Sequence, residues 1–293
     1  MKKLLVPVDG SKTGETALPW AKLMSEKQNC AIELLSCFRP LSAAYSYPDF
    51  ATPPPVAYDL SGFIRTSEKY LRMLVKEYEL PHTTTLVQEG SPAVSILERS
   101  ESEDVDAILL SSHGRGGLGR WLLGSTSTKV VRGSKKPVYI FNATEDEPDP
   151  PSPRFNKILV CLDGSKIAEE AVNAAIAIAE SHGSELTLYR AAEYFPYPAS
   201  AYEVAIDVEL EDCEKYLSQV AERYPTAKIN TSAELTSAGR GILKRAPDYD
   251  LVVMTSHGLS GFERWLLGSV TEKVMHRIKK PLLVVHSSIE EDH

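Results

Sequence analysis

At 293 residues and with a 43% hydrophobic share, the chain is long enough for two domains, each with its own core. Its 40 acidic and 32 basic side chains leave a net charge of −8, which disfavours a broad nucleic-acid-binding face, and no apolar run has the length of a membrane span. Four scattered cysteines without a CxxC pair give neither a disulfide framework nor a zinc pattern, and lead to the expectation of a reducing cytoplasm.

The opening Met-Lys-Lys-Leu-Leu has the basic start of a secretion signal, but it lacks the apolar run and the small-residue cleavage site, so residues 4–8 read as a first strand. A helix is predicted from about 11 to 26, with Ala17, Leu18, Ala21 and Met24 along one side. Residues 31–38 form a second strand, 61–79 a second helix and 83–88 a third strand rich in β-branched side chains. Ser91-Pro92 marks a helix start, since serine caps and proline is tolerated in the first turn. A fourth strand at 107–110, a glycine-rich loop, a helix from Ser125 and a strand at 138–141 complete the unit.

The proline-rich, acidic stretch 143–155 discourages a packed element and divides the chain into expected domains 1–142 and 156–288. The order then restarts. Strands are predicted at 158–161, 185–189, 229–233, 251–254 and 282–286, with helices at 165–180, 204–223 and 237–246. Strands alternating with crossover helices imply two α/β units, each with a largely parallel sheet covered on both faces.

The two units share their loops. Ser111-Ser112-His113-Gly114 and Thr255-Ser256-His257-Gly258 are each followed by nine residues and then Gly124-Ser125 or Gly268-Ser269. Both carry Arg-Trp-Leu-Leu-Gly-Ser and a later Lys-Lys-Pro. A long internal repeat of this kind means two copies of one folding unit with related sites. Asp9 and Asp163 are 154 residues apart but Gly114 and Gly258 only 144, so the first copy is longer, with the extra length assigned to residues 40–58. That segment reads as a surface crossover, with a lid or partner surface as the alternative.

Three places in each copy are expected to meet at the carboxyl ends of the parallel strands, where open α/β sheets place ligands. They are Asp9-Gly10-Ser11 or Asp163-Gly164-Ser165, then Gly114 or Gly258, then the helix entrances Gly124-Ser125-Thr126 and Gly268-Ser269-Val270. Glycines allow close backbone approach, helix-start amides point at phosphate oxygens, and the aspartates suit a ribose hydroxyl or a bridging metal. The alternative is structural: glycines for turns, aspartates as helix caps, Ser269 with Glu272 as a capping box and Ser125 with Thr128 as a weaker one. His113 and His257 lack the partners of acid–base chemistry and read as loop contacts, and Trp121 and Trp265 as packing anchors. Arg115, replaced by Leu259 in the second loop, is either a phosphate contact or an exposed cation. No GxxxxGK[ST] is present, so binding is better supported than turnover.

These signatures, with Val6-Pro7-Val8-Asp9-Gly10-Ser11 and Val160-Cys161-Leu162-Asp163-Gly164-Ser165, closely resemble those of tandem universal stress proteins over nearly the whole of both copies. The resemblance implies two similar open parallel-sheet sandwiches, each five-stranded in the order 3-2-1-4-5, paired edge to edge through strand five. It also implies a nucleotide loop Gly-x-x-Gly, nine residues, then Gly-Ser or Gly-Thr. Here Ser111 and Thr255 stand at the first glycine, where each hydroxyl offers a donor and each Cβ an obstruction. The family's adenine-side contacts fall on Pro7, Val8, Asp9 and Cys37, and in the second copy on Cys161, Leu162, Asp163 and approximately Arg190. The arginine is a departure that favours the first copy as the nucleotide site.

The leading expectation is a stress-response protein that binds ATP, with Mg²⁺ accompanying the phosphates, and couples occupancy to conformation or to a regulatory protein partner. A homodimer is a further expected association, and neither nucleic acid nor membrane is an expected partner. The competing readings are a nucleotide-independent adaptor or scaffold, and a slow ATPase or phosphotransferase using His113 and Asp9.

Overall fold

The computed structural model describes residues 1–38, 60–112, 123–142, 152–192, 202–257 and 267–287, with side chains in the helix that opens at Tyr202 described from Asp207. Strands and helices alternate through both copies. The first contains β1 (Lys3–Val8), α1 (Leu18–Gln28), β2 (Ala31–Phe38), α2 (Leu60–Glu77), β3 (Thr83–Glu89), α3 (Pro92–Ser100), β4 (Ala107–Ser111), α4 (Ser125–Gly133) and β5 (Val138–Phe141). The second contains β6 (Lys157–Cys161), α5 (Lys166–His182), β7 (Glu185–Ala192), α6 (Tyr202–Ala221), β8 (Ile229–Leu235), α7 (Ala238–Arg245), β9 (Leu251–Thr255), α8 (Ser269–Met275) and β10 (Leu282–Val285).

The strands form one ten-stranded sheet in the order β3-β2-β1-β4-β5-β10-β9-β6-β7-β8. Each half thus has the order 3-2-1-4-5, and the halves join through their fifth strands. β5 and β10 are antiparallel, with Leu282 opposite Ile140 and Val284 opposite Val138, and the neighbouring pairs are parallel. The eight inner strands are largely buried on both faces and read as mostly apolar runs, whereas the edge strands β3 and β8 are only partly buried and more polar. One core cluster includes Leu4, Val6, Met24, Leu71, Val160, Val172 and Leu217, and the other Leu5, Ile96, Val130, Ile140, Ile242 and Val274. Each cluster runs through both copies, so neither half closes its core alone.

Side chains on both faces reinforce the junction. Trp20 of α1 stacks on Phe141 at 5.0 Å and on Phe155 at 5.1 Å. Phe155, the last residue of the expected linker, is fully buried. On the other face Arg132 of α4 pairs with Glu272 of α8. The ends of β5 and β10 repeat one device: Asn142 Nδ2 donates to the Ile278 carbonyl at 2.8 Å, and His286 Nε2 donates to the Val131 carbonyl at 2.7 Å.

The first helix differs from expectation. Residues 13–15 form a 3-10 turn, and α1 begins only at Leu18 with Pro19 in its first turn. A regular helix from residue 11 would set the Pro19 ring against the carbonyl of Glu15, four residues back. The corresponding residue of the second copy is Asn173, and there α5 runs unbroken over 17 residues.

Candidate functional site

The turn after the first strand is built alike in both copies. Asp9 Oδ1 accepts from the Ser11 amide at 3.0 Å and from its hydroxyl at 2.6 Å, and Ser11 Oγ accepts from the Gly14 amide at 2.9 Å. Asp163 Oδ1 likewise accepts from Ser165 N and Oγ at 2.9 and 2.7 Å, and Ser165 Oγ caps α5 by accepting from Ala168 N at 3.1 Å. The capping atom is therefore the serine hydroxyl, and the aspartate orients it. Gly10 and Gly164 have φ of 83° and 97°, a conformation that a side chain would strain.

The helix entrances are pinned to the end of the fourth strand. The Gly124 and Gly268 amides donate to the Ser112 and Ser256 carbonyls at 2.8 Å. Ser127 Oγ donates to the Ser111 carbonyl at 3.1 Å, and Thr271 Oγ1 to the Thr255 carbonyl at 2.9 Å. These bonds set the first turn of α4, including the exposed Ser125 and half-buried Thr126, beside the carboxyl edge of the sheet. First-turn amides have no partner within their own helix and face outward toward anions. The N-cap positions are Gly124 and Gly268, which places Ser125 and Ser269 inside the helices and removes the expected capping boxes. Val270 holds the position of Thr126, so the second entrance lacks that hydroxyl.

The strand-end hydroxyls are used differently. Ser111 Oγ donates to the Gly14 carbonyl at 2.9 Å and accepts from the Ala17 amide at 3.2 Å. It serves the backbone groups that the broken first helix leaves over. Thr255 has no such break to repair, and its hydroxyl donates to the His257 carbonyl at 2.6 Å. His257 Nδ1 lies 2.9 Å from Ser256 Oγ, while its buried Nε2 has no partner among the described residues.

On the adenine side of the expected site, Pro7 is half-buried and Val8 is a core side chain, while Asp9 and Gly10 are exposed. Cys37 is half-buried. Burial pushes its thiol pKa up, against a hydrogen bond with Ser95 that lowers it. The strand registers refine the matching of the copies: Pro7 pairs with Leu35 and Cys161 with Tyr189, so Arg190 corresponds to Ser36, and Ala191 to Cys37. His113, Gly114, Arg115, Gly258, Trp121, Trp265 and the 40–58 segment lie outside the described residues.

Sequence reading missed the support behind the turn. Glu15 is 3% exposed and accepts from the hydroxyls of Tyr70 at 3.2 Å and Tyr78 at 2.9 Å and from Lys12 Nζ at 2.9 Å. Its counterpart Glu169 accepts from Tyr216 at 3.3 Å and Arg223 at 2.8 Å. Burial first, and the neighbouring glutamate second, raise the pKa of Tyr70 and Tyr216, so both remain neutral donors. The repetition of Glu15 as Glu169, and of Tyr70 and Tyr78 as Tyr216 and Tyr224, was the available signal.

Taken chemically, the edge offers backbone donors, an oriented carboxylate and hydroxyls. Among the described residues no three metal-ligating side chains converge, and no helix is long and apolar enough to cross a membrane. The family model described as the universal stress protein family matches residues 1–142 and again 154–286. A universal stress protein of Mycobacterium tuberculosis is 26% identical over 299 aligned residues, covering 97% of each chain. One from Mycolicibacterium smegmatis is also 26% identical, covering 96% of each. The crystal structure of a universal stress protein from Archaeoglobus fulgidus superposes with a TM-score of 0.69 at 22% identity, covering 97% of this chain and 98% of the other.

Proposed function

This chain belongs to the universal stress protein family as a tandem member, and from that premise we propose that it binds an adenine nucleotide, ATP foremost, and couples occupancy to conformation or to a protein partner. The observation that carries the reading is the joining of three elements at one sheet edge. Ser111 ties the end of β4 to the 3-10 turn after Asp9-Gly10-Ser11, and Ser127 ties the start of α4 to that same residue. A ligand at this edge meets oriented amides for its phosphates on one side and the Asp9 carboxylate for a ribose hydroxyl on the other. Direct contact between Asp9 and a phosphate would be repulsive, which fixes the orientation. Mg²⁺ enters in this reading with the phosphates, since the described side chains supply no ligand cluster.

Occupancy changes conformation only as far as ATP binds two states with different affinity. In this reading such a difference would arise where Ser127 ties the start of α4 to the end of β4, beside the amides offered to the phosphates. The sequence carries no GxxxxGK[ST], and so no lysine placed to hold a transferred phosphate, and the proposal is therefore binding rather than hydrolysis.

The test is titration of nucleotide-stripped protein with ATP and Mg²⁺, with bound nucleotide identified by native mass spectrometry. Saturable binding below millimolar concentration supports the reading. Failure to bind at millimolar ATP leaves the adaptor alternative, in which the duplicated body itself is the interaction surface.

A further inference from the structure

The sheet ends in two open edges. β3 and β8 are its outermost strands, and among the described residues no further strand pairs with either. Each runs seven residues in unbroken register with its inner neighbour, from Ile32 opposite Thr83 to Phe38 opposite Glu89, and from Leu186 opposite Ile229 to Ala192 opposite Leu235. Edges are commonly blunted by a lysine, a proline or a bulge, and neither strand contains any of the three. Because β5 and β10 are antiparallel while the pairs within each copy are parallel, β3 and β8 run in opposite senses. β3 of one chain can therefore meet β8 of another as an antiparallel neighbour, just as β5 meets β10.

The helices over these edges differ in charge. α2 packs on β2 and β3, and α6 on β7 and β8. Both lie on one face of the sheet, since Leu71, Leu74, Leu217 and Val220 share a core cluster. Printed contacts mark the inward flank of each helix: Tyr70 reaches Glu15 and Glu77 reaches Lys12, while their counterparts Tyr216 and Arg223 reach Glu169. The opposite flank of α2 presents Arg65, Glu68, Arg72 and Lys76, a stripe at helical spacing. The same positions of α6 hold Glu211, Glu214, Ser218 and Glu222. Three cations and a carboxylate that Arg72 already holds at 3.4 Å thus stand against three carboxylates and a hydroxyl. Lys69 and Lys215, at the crest of each helix, are alike.

We infer that the two ends of the sheet bind each other between chains: β3 and α2 of one copy dock against β8 and α6 of a second, continuing the sheet head to tail. The junction inside the chain already uses this device, with β5 antiparallel to β10 and Arg132 of α4 paired with Glu272 of α8. Charge selects the contact over its alternatives. A two-fold pairing of β3 with β3, or of β8 with β8, would also be antiparallel, but it sets stripes of like sign side by side. The edge amides and carbonyls supply the bonds, and the stripes decide which edge is accepted. Such a contact is heterologous, so chains add in a row unless the twist of the sheet closes a ring. It uses neither glycine turn and stands apart from the nucleotide reading.

The test is sedimentation of the full chain, stripped of nucleotide, over a range of concentrations at low salt and at about 1 M salt, where the screening length is about 3 Å. Two charge-reversed variants run beside it, Arg65→Glu with Lys76→Glu, and Glu211→Lys with Glu222→Lys. The wild type should associate at low salt and less so at high salt. Each variant alone should keep its thermal transition and associate about tenfold more weakly, the equivalent of ~1.4 kcal/mol, because its own two stripes now agree in sign. An equimolar mixture of the two variants should regain assembly, since each stripe again meets its opposite. A wild type that stays a single chain at every concentration at low salt overturns the inference. So does association that both variants retain, or a mixture that assembles no better than either variant alone.

Discussion

Ser111 Oγ donates to the Gly14 carbonyl at 2.9 Å and accepts from Ala17 N, closing the gap that Pro19 opens at the start of α1. The position that the family loop gives to glycine is thus used in this chain to mend its own backbone. Ser111→Ala removes both bonds while the Gly14 and Ala17 groups stay partly enclosed. The expected loss is about 1–2 kcal/mol of stability, read as a lower urea midpoint at unchanged slope. ATP affinity should fall several-fold as well, because the same hydroxyl holds the Asp9 turn against β4. Unchanged affinity with reduced stability would confine Ser111 to structure.

Gly14 answers a different constraint of the same turn. A Cβ there would lie 2.3 Å from Asp9 Oδ1. Its counterpart Ala168 sits in a regular helix, where the side chain is accommodated and fully buried. Gly14→Ala should push the Asp9 carboxylate off Ser11 and weaken ATP binding by about an order of magnitude, the equivalent of ~1.4 kcal/mol. Ala168→Gly should cost the helix penalty of roughly 0.5–1 kcal/mol and about 0.8 kcal/mol for the buried methyl, and leave ATP binding alone. Titration of both variants checks the asymmetry, and equal losses of affinity would contradict it.

Much of this was legible in the chain, for identifiable reasons. The strands were readable because a sheet covered on both faces demands unbroken apolar runs such as Leu4-Leu5-Val6. The Asp-Gly-Ser turn was readable because its three residues are local to one another. The late start of α1 was written in Pro19 but was outweighed by the apolar periodicity of Ala17, Leu18 and Ala21. Glu15 with Tyr70 and Tyr78 was hidden because those residues meet only after the β2–α2 crossover folds. The matching of Arg190 to Cys37 was off by one residue, and in a strand one residue changes the face to which a side chain points.

A buried charge cluster offers a stability test away from the site. Glu33, 6% exposed, is held by Arg99 through Nε and Nη2 and by Lys3 at 3.2 Å, and Arg99 and Lys3 both reach Asp104. Burial alone would raise the Glu33 pKa, but the bonds from Arg99 and Lys3 overcome it and hold the carboxylate below its usual range. Arg99→Met leaves that carboxylate with Lys3 only. A loss of about 2–3 kcal/mol is expected, below the 3–5 kcal/mol of a fully orphaned charge. The sign with pH follows: this stability is present above the unfolded carboxylate pKa and is lost as pH falls through the lower folded value. The Met variant should therefore show a shallower acid limb, measurable by denaturation from pH 7 to 3.

The junction between the copies carries the opposite kind of group. Burial lowers the His286 pKa. The carbonyls of Val131 and Lys136 oppose the shift, and nearby His257 adds to it. In the neutral ring Nε2–H donates to Val131 and Nδ1 carries no proton, so its lack of a partner is tolerated. Protonation would put a charge and a second donor on a buried ring whose Nδ1 makes no hydrogen bond among the described residues. The unfolded chain thus binds the proton more readily than the fold does. The contribution of His286 is fully present above the ordinary histidine pKa, erodes as pH drops below it, and is gone once pH passes the lower folded value. His286→Asn copies Asn142, which occupies the equivalent strand end and holds its carbonyls without titrating. That variant should keep the neutral-pH melting temperature within a few degrees and flatten its decline between pH 7 and 5. An unchanged slope would show that the junction does not register the protonation of His286, and would shift the acid sensitivity to His182, whose pKa burial also lowers.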